Sequence, residues 1–113
     1  MQVLTGADHF GAQAGGTPNW VEHLSVPDLS VGTYSLPAGS VDTQDPHTED
    51  EIYVVLRGRG ALATDDATAD AAPGSVIYVP AGENHHFVRI VEDLVVLVLF
   101  APAEGSRVSS ADG

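Results

Sequence analysis

Apolar positions in this chain recur every second residue in short runs, and glycine, proline and aspartate interrupt them. A period of two marks strands, because successive side chains then point to opposite faces. Ser30–Leu36 (SVGTYSL) alternates most clearly, and Pro37-Ala38-Gly39 stops it with a turn. Trp20–Ser25 (WVEHLS) alternates more roughly and is also read as a strand. Ile52–Leu56 is rich in residues that suit a pleated surface. A turn at Gly58 and Gly60 is expected to separate it from Ala61–Thr64. Asp65–Pro73 reads as an acidic turn with a brief strand around Ala67–Ala69. Gly74–Val79 is a strand ending at Pro80, Gly82-Glu83-Asn84 turns the chain, and His85–Ile90 is the next strand. Leu94–Phe100 (LVVLVLF) is the most apolar run and predicts a buried strand. Met1–Phe10 is expected to begin with a strand or a short helical turn, followed by a loop over Ala12–Pro18. Ala103–Gly113, small and polar, reads as a disordered tail.

Many short strands between Gly, Pro and Asp turns indicate an all-β sandwich or barrel, with residues 1–102 as one domain. A chain of 113 residues can bury one core. Composition then excludes several chemistries. The absence of cysteine removes disulfides and thiolates, and the absence of lysine removes Schiff bases and a P-loop lysine. A net charge of −12 argues against nucleic-acid partners and anionic membranes. The plain reading of that acidity is a self-repelling, soluble surface. The first sixteen residues carry no basic region and no long apolar run, and the stretch 94–102 is too short to cross a bilayer. A cytoplasmic protein is the expectation.

The candidate chemistry lies in two glycine-initiated units, Gly39–Gly60 and Gly74–Ile90, each with a histidine beside a turn. Alternation through Glu51, Tyr53 and Val55 points these side chains inward. An inward carboxylate is expensive to bury unpaired, so Glu51 calls for a cation. His47 follows Pro46, which stiffens the loop. Glu49 and Asp50 read as a solvated acidic loop. Tyr53 is either a packed core residue or a donor of a hydrogen bond or proton. Tyr34, Phe87 and Phe100 are candidate pocket-lining aromatics. His9 and His23 match no motif. Ile52, Val54 and Leu56 then face outward and call for a cover, either the N-terminal segment with Trp20 or a second subunit.

These two units resemble the motifs of the cupin superfamily. Gly39, Asp45, His47, Glu51 and Gly58 fall on the spacing G-x5-H-x-H-x3,4-E-x6-G, with Asp45 at the first histidine. Gly74, Pro80, Gly82 and His85 fall on G-x5-P-x-G-x2-H-x3-N, with Arg89 in place of the asparagine. The resemblance implies a double-stranded β-helix, or jelly-roll, often homodimeric, with a metal inside. It orients His85 inward and His86 outward. It also implies a metal set of His47, Glu51, His85 and a fourth donor, either Asp45 or Gln44. Small cupins with a Q-x-P-H-T-E-D-E stretch look most like residues 44–51, which favours Gln44. Such donors suit Fe(II) or Mn(II), and also Ni(II), Co(II) or Zn(II). The expected function is a metal-dependent oxygenase acting on a small organic molecule, with Glu51 and Tyr53 as catalytic residues. The alternatives are a metal-dependent isomerase, cyclase or lyase, and a non-catalytic binding protein.

Overall fold

Short-period alternation produces six strands in the computed structural model, which describes residues 1–107: β1 (Asn19–Val26), β2 (Leu29–Leu36), β3 (Asp50–Thr64), β4 (Thr68–Ala71), β5 (Val76–Val79) and β6 (His85–Ala101). No helix occurs among the described residues. The ladders are antiparallel, in the order β1-β2-β6-β3-β4, with β5 on β3.

β3 and β6 form the spine, and each is longer than the sequence pattern implies. The turn expected at Gly58 and Gly60 is absent, and both glycines lie inside β3. The β3–β6 ladder instead shifts register between Val55 and Arg57, Arg57 and Arg59, and Arg59 and Ala61. Such bulges bend a ladder without ending it. Gly58 sits at φ +90°, and a Cβ there would lie 2.1 Å from the Asp93 carbonyl oxygen, so the crossing requires glycine. For the same reason the runs His85–Ile90 and Leu94–Phe100 are one strand, bent where Val91, Glu92 and Asp93 face solvent.

On the inner face, Tyr53, Val55, Leu36, Val96, Val98, Phe87 and Phe100 make a continuous core. Its two opposed registers, Glu51 opposite Phe100 and Val79, and Tyr53 opposite Val98 and Ile77, put the inward residues of β3 at one end of the barrel. The outer face carries Ile52 opposite Tyr78 and Leu99, and Val54 opposite Val76 and Leu97. Ile52, Tyr78 and Val76 are 39%, 60% and 66% exposed.

The first ten residues form neither strand nor helix. They run over part of the outer face. Thr33 donates its hydroxyl to the Ala7 carbonyl at 2.6 Å, and the Gly11 N–H donates to Ser35 Oγ at 3.0 Å. Trp20 takes no part in that cover. Its ring crosses Gly32 on the inner side, in edge contact with Tyr34 and Phe100. At the other end, residues 103–107 are tied to the barrel, while 108–113 lie outside the described residues. The Glu104 N–H donates to Ser30 Oγ at 2.9 Å, and the Gly105 and Arg107 N–H groups donate to Glu49 at 3.0 and 3.2 Å.

Candidate functional site

Three pieces of chain converge at the end of the barrel where β3 begins. β3 contributes Glu51 and Tyr53 at inward positions, and β6 contributes its first residue, His85. The loop before β3 folds across them and supplies Asp42, Gln44 and His47. Gln44, His47, Glu51 and Tyr53 line a pocket of about 150 Å³, together with Trp20, Tyr34, Val98, Phe100 and Glu104.

The nitrogen and oxygen atoms crowd around one point. His85 Nε2 lies 2.8 Å from Glu51 Oε1, and His47 Nε2 lies 3.9 Å from Glu51 Oε2. Gln44 Oε1 lies 3.0 Å from His47 Nε2 and accepts the Tyr53 hydroxyl at 3.1 Å. The Tyr53 oxygen is also 2.9 Å from His85 Nε2. One donor atom each from His47, Glu51 and His85 falls within 4.8 Å of the others. Donors about 2.1 Å from one ion stand about 3.0 Å apart at right angles and about 3.4 Å apart at tetrahedral angles. The observed separations begin at 2.8 Å and reach 3.9 Å or more, so the set would have to draw together around an ion.

Glu51 provides the sharper test of fit. It is 2% exposed, and neither carboxylate oxygen has an aligned hydrogen-bond donor. Buried polar atoms are almost always partnered, and a charged one least tolerates isolation. Two imidazoles and an amide oxygen beside an unsatisfied carboxylate make a donor set for a divalent cation. The second nitrogen of His85 supports this. Nδ1 is 2.7 Å from the Glu83 carbonyl, which can only accept, so Nδ1 carries the proton and Nε2 presents a lone pair in the neutral ring.

Without a cation, the electrostatics favour the protonated His85 ring, so a metal would have to displace the Nε2 proton. Burial opposes protonation of His85, yet the Glu51 carboxylate, the Glu83 carbonyl and the Asp42 charge together hold its pKa above the ordinary histidine value. Burial, followed by the Glu51 charge, pushes the Tyr53 phenol well up, so it remains a protonated donor at neutral pH. Burial also raises the Glu104 carboxyl, with Glu22, Glu49 and Glu51 adding to the effect and His47 opposing it.

Several sequence expectations change here. Glu49 is no solvated loop residue: it is 2% exposed and anchors residues 105 and 107. Burial would raise its pKa, but the Thr48 hydroxyl and the two N–H groups outweigh that and lower it. Asp45 is exposed and absent from the pocket lining, whereas Gln44 faces it. Phe87 lies beneath Tyr53, ring centroids 4.9 Å apart, and Tyr34 and Phe100 form the walls. His9 is exposed, and His23 pairs with Thr33 at 2.7 Å on the outer side. Asp42 and Glu104 were not anticipated. Asp42 sits in an irregular loop with no periodicity to orient it, and Glu104 lies in what reads as a tail.

Comparisons with known proteins agree with this architecture. Residues 32–101 match the family model described as Cupin domain. An uncharacterized protein of Streptomyces coelicolor is 48% identical over 85 residues, covering 75% of this chain and 81% of that protein. A Klebsiella pneumoniae structure described as having a double-stranded β-helix domain superposes with a TM-score of 0.78 at 15% identity, covering 90% of this chain and 91% of the other. The DMSP lyase DddQ of Ruegeria pomeroyi superposes with a TM-score of 0.70 at 20% identity, covering 83% of this chain and 51% of the other. At such identities these structures establish the double-stranded β-helix fold alone.

Proposed function

The chain belongs to the cupin superfamily, and from that premise we propose that it is a metal-dependent oxygenase acting on a small organic molecule. The observation that carries the metal part of this reading is Glu51, whose two buried oxygens lack aligned donors between His47, His85 and Gln44. Gln44, His47, Glu51 and His85 would hold the ion. Fe(II) or Mn(II) suits that mixture of imidazole and oxygen donors, and Ni(II), Co(II) and Zn(II) are accepted by the same set. The metal supplies a Lewis-acidic centre and, as iron, an oxygen-activating one.

The chain's own residues do the rest. Trp20, Tyr34, Val98 and Phe100 give the pocket apolar walls that orient a small substrate and exclude water. Among the described residues no arginine lines it, so a strongly anionic substrate such as a bisphosphate is disfavoured. Tyr53, held protonated, donates a hydrogen bond or a proton at its hydroxyl, and Glu51 steers charge beside it. A second reading, an isomerase, cyclase or lyase in which Tyr53 or Glu51 moves a proton without oxygen, is supported by the placement of both residues in the pocket lining. The lyase activity named for DddQ, a protein of the same fold, is consistent with it. A non-catalytic binding role is the third. A homodimer and a cytoplasmic location belong to this proposal, the dimer being supported by the exposed apolar strip of Ile52, Val76 and Tyr78.

The test is oxygen uptake by Fe(II)-loaded protein against a panel of small neutral substrates. Uptake matched to substrate loss supports the oxygenase. Turnover that persists without oxygen overturns it in favour of the isomerase, cyclase or lyase, and binding without turnover leaves the binding role.

A further inference from the structure

We infer that Asp42 is a positioning residue that turns the Gln44 amide so that its oxygen, not its nitrogen, faces the centre of the donor set. The inference rests on the metal reading above. Asp42 is 5% exposed and lies outside the pocket lining. Its Oδ1 accepts the Tyr34 hydroxyl at 2.7 Å and the Gln44 N–H at 3.3 Å. Its Oδ2 accepts the Phe87 N–H at 2.8 Å and the Gln44 side-chain amide Nε2 at 2.6 Å.

The chemistry is one-directional. An ionised carboxylate offers only acceptor sites, and an amide has one accepting end and one donating end. The end of Gln44 that touches Asp42 is therefore the NH2 group. The carbonyl oxygen is left toward His47 Nε2 and the Tyr53 hydroxyl, at 3.0 and 3.1 Å. Flipped, the amide would set its oxygen against the Asp42 charge and its NH2 group against the cation. A charge-assisted bond to the NH2 group also polarises the amide and makes its oxygen a better donor. Asp42 is tied to strand β6 through Phe87 and to β2 through Tyr34, so a rigid frame holds the loop that carries Gln44.

The experiment is a double-variant cycle read as Mn(II) affinity by titration calorimetry. Asp42→Asn keeps the shape but gives a side chain that can accept or donate. It should weaken Mn(II) binding ~10-fold or more, the usual loss when a partner behind a ligand is removed. Gln44→Ala should also weaken it, and adding Asp42→Asn to Gln44→Ala should cost little more, because Asp42 acts through Gln44. An unchanged affinity in Asp42→Asn, or losses that multiply in the double variant, overturns the inference. Nuclear magnetic resonance of the unaltered protein provides a measurement independent of variant folding. One Gln44 side-chain amide proton should be shifted downfield and slow to exchange with water; free-amide behaviour at both protons overturns the inference. Unaltered protein that takes up no Mn(II) defeats the metal reading and this inference with it. Tight binding by both the unaltered protein and Asp42→Asn defeats the inference alone.

Discussion

Glu51→Gln should separate what the site does for stability from what it does for binding. The side chain is buried, and neither oxygen has an aligned donor while His85, 2.8 Å from Oε1, is neutral. Leaving a buried polar group unsatisfied costs about 1–3 kcal/mol, and more for a charge. The amide keeps the shape and removes the charge, so the metal-free protein is expected to gain about 1–3 kcal/mol. At an unfolding entropy of about 2.1 cal/mol/K per residue, that is roughly 4–13 °C in Tm for a chain of this length. His85 opposes the gain. Its folded pKa is raised, so its pairing with Glu51 at 2.8 Å contributes stability that is fully present below about pH 6.5. That contribution is lost as the pH rises through the raised value. The variant's advantage should therefore be largest near about pH 9 and should shrink or reverse near about pH 6. Calorimetric melting of chelator-treated protein at both values measures it, and Mn(II) titration of the same samples should show at least a ~10-fold loss of affinity. A variant less stable than its parent at alkaline pH, or one that binds Mn(II) equally well, would refute the reasoning.

Other outcomes follow from the packing. Gly32→Ala puts a Cβ 2.4 Å from the Trp20 ring and 2.6 Å from the Val21 carbonyl, so overpacking should cost about 1–3 kcal/mol. Trp20 is the single tryptophan, and its fluorescence should shift in the same variant. Glu49 has a folded pKa below its ordinary value of 4.5, so it adds stability above that pH, lost as pH falls through the depressed value. Glu49→Gln should lower Tm at neutral pH and flatten its fall under acid, as read by circular dichroism.

The alternation of Glu51, Tyr53 and Val55 was legible because one face of β3 meets the core there, whereas β2 also buries Thr33 and Ser35 on its other face, beneath the N-terminal segment. The continuity of β3 was not legible, because Gly58 signals a turn and a bulge in the same way; only the close approach of Asp93 distinguishes them. His47, Glu51 and His85 were visible through their spacing, and the structure brings them together. The buried carboxylates Asp42 and Glu49 were hidden. Both lie in a loop without periodicity, where burial is set by donors from far along the chain, Phe87 for one and Gly105 for the other. The same distance effect hid Glu104, whose backbone is fixed by Ser30.

If His47, Glu51 and His85 form one metal-binding set, each histidine is needed to retain the ion. Equilibrium dialysis against Mn(II), followed by elemental analysis, tests it most directly. Close to one ion per chain is expected for the unaltered protein and for His9→Ala, with affinity at least ~10-fold lower for His47→Ala and His85→Ala. Equal metal content in all four proteins, or none in the unaltered chain, would contradict it.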